Sequence, residues 1–200
     1  MEALRPVDRR ARAGRALEVD DRRAIREQLH DQLTLGATII NLQGTPDASP
    51  AIDRSKGLHN VLDPHADKYK FVFEQTANFR RADGLSVTES ALGGMDAPPD
   101  VIVAGNDDMI FGAIEALKAR NITDVVTLGF DALPEALVQV RDGSLTATVE
   151  QFPGGQSRGA VQALVKFLRD GVKPEPLVLL TPIVITKDNL NEAERIGEMK

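Results

Sequence analysis

From Gly36 onward the chain alternates short β-branched runs with helical patterns, and that alternation is its strongest folding constraint. The runs at 37–44 (ATIINLQG), 69–76 (YKFVFEQT), 101–105 (VIVAG), 124–131 (DVVTLGFD) and 145–152 (LTATVEQF) predict strands. Between them, helices are predicted over 51–62, with Ile52, Leu58, Val61 and Leu62 toward the core, and over 82–92, 109–119 and 134–140. Strands that alternate with helices require crossover connections, so the expected fold class is α/β with a doubly wound parallel sheet. A further helix is expected at 156–169, with Ala160, Val161, Leu164, Phe167 and Leu168 on one side. The Pro-punctuated stretch 172–186 reads as one or two extended segments, and 188–196 as a short closing helix.

The first 35 residues differ in composition. They hold eight Arg, no Lys and seven acidic residues, a net charge of +1, whereas residues 36–200 carry a net −7. Leu17, Ile25, Leu29 and Leu33, with Asp21 between the first two, fall on a four-residue spacing, which predicts an amphipathic helix over about 15–34 with a solvated, charged opposite face. The whole chain carries a net charge of −6, which argues against nucleic acid as a partner. The absence of cysteine excludes disulfides, thiolate metal sites and a cysteine nucleophile. No apolar run approaches the ~20 residues of a membrane-spanning helix. The N-terminus has charge where a signal peptide needs an apolar stretch, so the sequence reads as soluble and without an export signal.

Open α/β sheets bind ligands beyond the carboxyl ends of their strands. The residues predicted there are Arg54 on the helix after the first strand, Phe79 after the second, Asn106, Asp107 and Asp108 after the third, Phe130 and Asp131 at the fourth, and Gln151 at the fifth. Guanidinium, amide and carboxylate groups pair with adjacent hydroxyls, and an aromatic face covers C–H surface, so this set suits a small polyhydroxylated ligand. Each residue also has a plainer reading. Asn106, Asp107 and Asp131 suit helix caps or turns, the two phenylalanines suit packing, and Arg54 suits a surface ion pair.

Enzyme signals are weak. GQSRG at 155–159 matches the G-x-S-x-G nucleophile elbow, but Phe152, Pro153 and Gly154 interrupt the strand-to-turn step and His30, His59 and His65 all precede Ser157. The histidines lack metal-ligand spacing, and no phosphate-binding glycine loop is present. No cofactor or metal is expected, and Asp107–Asp108 reads as a helix start favoured by the dipole.

INLQGTPDASPAIDRSKGL, EQTANFRRADGLSV, PDVIVAGNDDMIFGAIEAL, VVTLGFDALPEAL, DGSLTATVEQFPG and TPIVITKDNL occur in the order seen in the periplasmic sugar-binding proteins of ABC transporters. Over residues 36 to about 196 the chain resembles the ribose-binding type. The resemblance implies a type I periplasmic-binding-protein fold, with two doubly wound lobes that close on a sugar or polyol and dock on an ABC permease. By motif, Arg54, Asn106, Asp131 and Gln151 would hold hydroxyls, Phe79 would cover the sugar face and Phe130 would line the pocket, none of them as a catalyst. On this resemblance 36–151 is the second lobe, 152–177 a hinge crossing and a helix of an incomplete first lobe, and 178–200 the return to the second lobe. The family works in the periplasm or cell envelope, and the chain looks like a form truncated at its N-terminus. The helix 156–169 would then lack its usual sheet and expose an apolar face suited to self-association. The alternative is the effector-binding domain of a LacI-type transcription regulator, but residues 1–35 show no paired-helix pattern of the kind a DNA-binding segment needs.

Overall fold

The computed structural model describes residues 36–199. The helix expected over 15–34 lies outside the described residues. A four-stranded parallel sheet in the order β2-β1-β3-β4 forms the centre, built from β1 (Ala37–Gln43), β2 (Tyr69–Thr76), β3 (Val101–Ala104) and β4 (Val126–Leu128). β1 lies inside the sheet and pairs with both β2 and β3, which is why its Ile39, Ile40 and Leu42 are all fully buried. The crossovers are α1 (Ser49–Leu62), α2 (Arg81–Gly93) and α3 (Asp107–Ala119). Pro50 opens α1 at a position where a missing N–H costs nothing. The sequence expectation of an α/β doubly wound parallel sheet therefore holds for this body of the molecule.

α2 and α3 pack together on one face, around Ile40, Leu42, Ile102, Met109, Ile110 and Phe111. α1 covers part of the other face through Leu58 and Leu62 against Ile39 and Val101. Ile52 departs from its expected core position: it points outward at 53% exposure, and the smaller Ala51 is buried instead.

Beyond β4 the architecture changes. α4 (Pro134–Asp142) leads to β5 (Thr148–Glu150), which is tied to β4 by a parallel bridge from Leu128 to Ala147. α5 (Pro153–Asp170) starts earlier than expected, so Ser157 lies within the helix and its hydroxyl donates to Pro153 O at 3.0 Å. Only Ile183–Ile185 of the extended stretch forms a strand, β6, and it runs antiparallel to β5. The predicted closing helix is replaced by two 3-10 turns, Leu190–Glu192 and Ile196–Glu198. The strands predicted at 124–131 and 145–152 are likewise short: regular strand is confined to Val126–Leu128 and Thr148–Glu150, and the two segments meet through the bridge from Leu128 to Ala147.

No residue of α5 is buried. Val161, Leu164, Phe167 and Leu168 are 60%, 55%, 41% and 71% exposed, and Leu177, Val178, Leu179 and Leu180 extend the apolar surface. Truncation has opposite consequences in the two regions. Ile102→Ala, at a fully buried site, is expected to lower stability by about 2–5 kcal/mol. Leu164→Ala is expected to stay within about 0.5 kcal/mol, both read from urea unfolding of dilute protein.

Candidate functional site: a polar rim at the strand ends

Three loops at the carboxyl ends of the strands meet around one side chain from α1. Arg54 reaches across the rim, where its Nη1 donates to Gly105 O at 2.5 Å and its Nη2 to Asp131 Oδ1 at 3.4 Å. Its guanidinium carbon lies 3.6 Å from the Phe130 ring centroid and 5.9 Å from that of Phe79. A planar cation between aromatic faces gains cation–π attraction and is held in one orientation. Gln151 Nε2 donates to the same Asp131 Oδ1 at 2.7 Å, while Oδ2 takes no hydrogen bond from the described residues.

The structure thus brings together five of the six residues expected here: Arg54, Phe79, Phe130, Asp131 and Gln151. Asn106 stands behind them. Its Oδ1 accepts from the Met109 N–H at 3.0 Å as the cap of α3, and its Nδ2 donates to Phe79 O at 3.4 Å. The cap reading of Asn106 therefore holds, and the residue links α3 to the loop that carries Phe79. Asp131 caps nothing, since α4 starts after Leu133.

Left-handed backbone concentrates at this rim. Asn78 and Phe79 have φ of 52° and 58°, Asp131 and Ala132 of 111° and 47°, and Phe152, next to Gln151, of 53°. Such conformations cost on the order of 1–3 kcal/mol each and persist where surrounding bonds impose them. Around Phe79 those bonds are the Thr76 hydroxyl to Gly44 O at 2.7 Å and Asn78 Nδ2 to Asp83 at 3.0 Å. Gly44 is required for a different reason: a Cβ there would collide with the Phe79 ring.

Burial raises the Asp131 pKa above its ordinary value, against the pull of Arg54 and Arg195, and burial lowers that of Arg54 against the pull of Asp131. The pair is partly desolvated, with side chains 21% and 25% exposed, so each charge depends on the other more than it would in open water.

In the sequence Asp107 reads as one of the rim residues after the third strand, as a cap or turn residue, or as a dipole-favoured helix start, with no sign of burial. The structure buries it completely, with Oδ2 accepting from the Leu133 N–H at 2.8 Å and Oδ1 from the Thr148 hydroxyl at 2.7 Å. Arg195, which carried no local signal, donates from Nη2 to the carbonyls of Asp131 and Ala132 at 2.9 and 3.2 Å. A cavity of about 340 Å³ also opens along the sheet beside α1. Most of its exposed wall is apolar, from groups such as Val61, Val103, Leu128 and Val149, although Asn41, Gln43 and Ser55 also border it, and it meets the polar rim at Gly44, Arg54, Gly105 and Phe130. Its chemistry does not suit a ligand rich in hydroxyls, so the rim and not this cavity is the candidate site.

A family model described as periplasmic binding protein domain matches residues 23–172. The chain belongs to this periplasmic binding protein family. The ribose import binding protein of Bacillus subtilis is 39% identical over 125 residues, covering 62% of this chain and 39% of that protein. The galactofuranose-binding protein of Escherichia coli is 33% identical over 159 residues, covering 77% and 49%. Among solved structures, the Caulobacter myo-inositol binding protein bound to myo-inositol superposes with a TM-score of 0.83 at 41% identity, over 92% of this chain and 62% of that one. The chain thus spans half or less of these two curated relatives, and under two thirds of the solved structure. The α/β body described above has the type I periplasmic-binding-protein fold.

The Asp107 pKa rises to about 7, chiefly through burial and against the hydrogen bonds from Leu133 and Thr148. A carboxyl with a higher pKa folded than unfolded favours folding at pH below its unfolded value and loses that contribution as pH rises through about 7. The thermal stability advantage of wild type over Asp107→Asn should therefore shrink steadily between pH 4 and pH 8, as read from paired melting curves.

Proposed function

We propose that this chain captures a small sugar or cyclic polyol at the polar rim, as the solute-binding component of an ABC-type importer in the periplasm or cell envelope, with no catalytic step and no cofactor. The observation that carries this reading is the convergence of Arg54 and Gln151 on one oxygen of Asp131, with the Arg54 guanidinium over the Phe130 and Phe79 rings. A carboxylate with one committed and one open oxygen can accept from neighbouring hydroxyls. A guanidinium and an amide supply the matching donors, and an aromatic face covers the C–H side of a ring. Asn106 joins this set through its Nδ2, whose 3.4 Å bond to Phe79 O is long enough to be shared with a ligand hydroxyl. Import and sugar-binding names among the relatives favour this over a regulator's effector domain.

In this reading residues 36–151 form one lobe of a hinged cleft and α5 belongs to the crossing that leads to the other. Ligand stabilises the closed arrangement by touching both sides, and a membrane permease is the partner of the closed form. The named relatives are an import binding protein for ribose and binding proteins for galactofuranose and myo-inositol, and capture without turnover needs no nucleophile–base pair.

Thermal-shift measurements against myo-inositol, D-ribose and D-galactose test the reading, since ligand that binds only the folded state stabilises it by RT ln(1 + [L]/Kd). At least one should raise Tm, and Asp131→Ala or Arg54→Ala should weaken that ligand roughly tenfold or more, the worth of a hydrogen bond to a charged group. No shift in folded wild type, or a shift retained in both variants, would overturn it.

The exposed apolar face of α5 is proposed to pair with the same face of a second copy when this chain is alone in solution. Contiguous apolar surface of this kind drives association. Sedimentation velocity should show concentration-dependent dimers that Leu164→Glu with Leu168→Glu abolishes, whereas a monomer at every concentration would contradict the pairing.

A further inference from the structure

The turn that carries Asp131 holds none of its own shape. From Phe130 O to Leu133 N, each polar main-chain atom is bonded to a residue distant in sequence. Phe130 O accepts from the Asp107 N–H at 2.8 Å, and the Asp131 N–H donates to Val149 O at 2.9 Å. Asp131 O and Ala132 O accept from Arg195 Nη2, the Ala132 N–H donates to Thr148 Oγ1 at 3.2 Å, and the Leu133 N–H donates to Asp107 Oδ2. The Thr148 hydroxyl in turn donates to Asp107 Oδ1, closing a loop of bonds beneath the turn. Asp107 can approach this closely because residue 129 is glycine, where a Cβ would collide with its carboxylate. Two successive non-glycine residues with positive φ are thereby fixed by α3, β5 and the C-terminal segment together.

We propose that Asp107, with Thr148 and Arg195, forms a positioning clamp that never touches ligand but sets the direction in which Asp131 presents its carboxylate to Arg54 and Gln151, and so sets affinity. For what Asp131 binds, this rests on the sugar or polyol reading above; the clamp itself rests on the bonds just described. The arrangement differs from ordinary core stabilisation because the three side chains converge on main-chain atoms of one four-residue turn, and that turn delivers to Arg54 both the Phe130 ring and the Asp131 carboxylate, which alone of the two bonds to Gln151.

The Gln151 side-chain amide, which donates to Asp131 Oδ1 at 2.7 Å, is a built-in reporter of carboxylate direction. Its proton and nitrogen shifts can be followed by NMR in wild type, Asp107→Asn, Thr148→Val and a control, Leu117→Ala, which creates a cavity near the far end of α3. Both clamp variants should move the Gln151 side-chain signals and weaken myo-inositol at least tenfold. The control should lose stability while leaving those signals in place. Should Asp107→Asn fail to fold, Thr148→Val, which keeps the side-chain shape, decides the question. Unmoved Gln151 signals in a folded clamp variant would overturn the proposal, as would equal movement in the control. Wild type that binds none of myo-inositol, D-ribose and D-galactose, with Gln151 signals that still respond to the clamp variants, would support the clamp and count against the ligand reading.

Discussion

The direction of one carboxylate, that of Asp131, depends on a buried hydrogen-bond system beneath it, and the rest of the rim is arranged around that carboxylate. Parallel strands bring their carboxyl ends to one edge, so loops far apart in sequence arrive at the same place. Arg54 arrives from α1, Gln151 from the end of β5, and the two phenylalanines from the loops after β2 and β4. What makes these loops a site is the set of left-handed residues at Phe79, Asp131 and Phe152, each needing bonds from other elements. Strain of this kind is tolerated because the sheet and its helices bury a large, well-packed core that over-determines the loops.

Much of this was legible in the sequence, for reasons that differ by element. β2 was read with its observed bounds because YKFVFEQT is bracketed by Asp67 and Lys68 before it and Ala77 and Asn78 after it. β4 and β5 were overextended because Gly129, Phe130 and Asp131 look extended by composition, whereas regular strand stops at Leu128 and the chain takes positive φ at Asp131 and Ala132, a turn with no local signature. β6 was expected only as extended chain, and its antiparallel pairing has no local signature; Pro174, Pro176 and Pro182 remove donors and shorten the strand to three residues. At the rim, position after a strand together with the family motifs singled out Arg54, Phe79, Phe130, Asp131 and Gln151, which the structure brings together. Asp107 was underestimated because an acid at a helix start has a ready local explanation, and Arg195 was missed because its role exists only through contacts with residues some 60 positions away.

The electrostatics of the rim suit capture more than structural pairing. A salt bridge made only for stability gains from close geometry, yet Arg54 and Asp131 meet at 3.4 Å while Arg54 commits its shorter bond to a backbone carbonyl. Both groups are partly desolvated, so in the proposed reading ligand hydroxyls that bridge them would replace a loose contact with shorter, charge-assisted bonds. The desolvation cost would then already have been met in folding, and a ligand would meet donors and acceptors oriented in advance.

The central claim is that the polar rim, and not the apolar cavity beside α1, receives the ligand. Backbone amide mapping by two-dimensional NMR during a myo-inositol titration tests it most directly. The account predicts saturable perturbations gathered at Arg54, Gly105, Phe130, Asp131 and Gln151. Perturbations centred instead on Val61, Leu128 and Val149, or none at concentrations that saturate other sugar-binding domains, would contradict it.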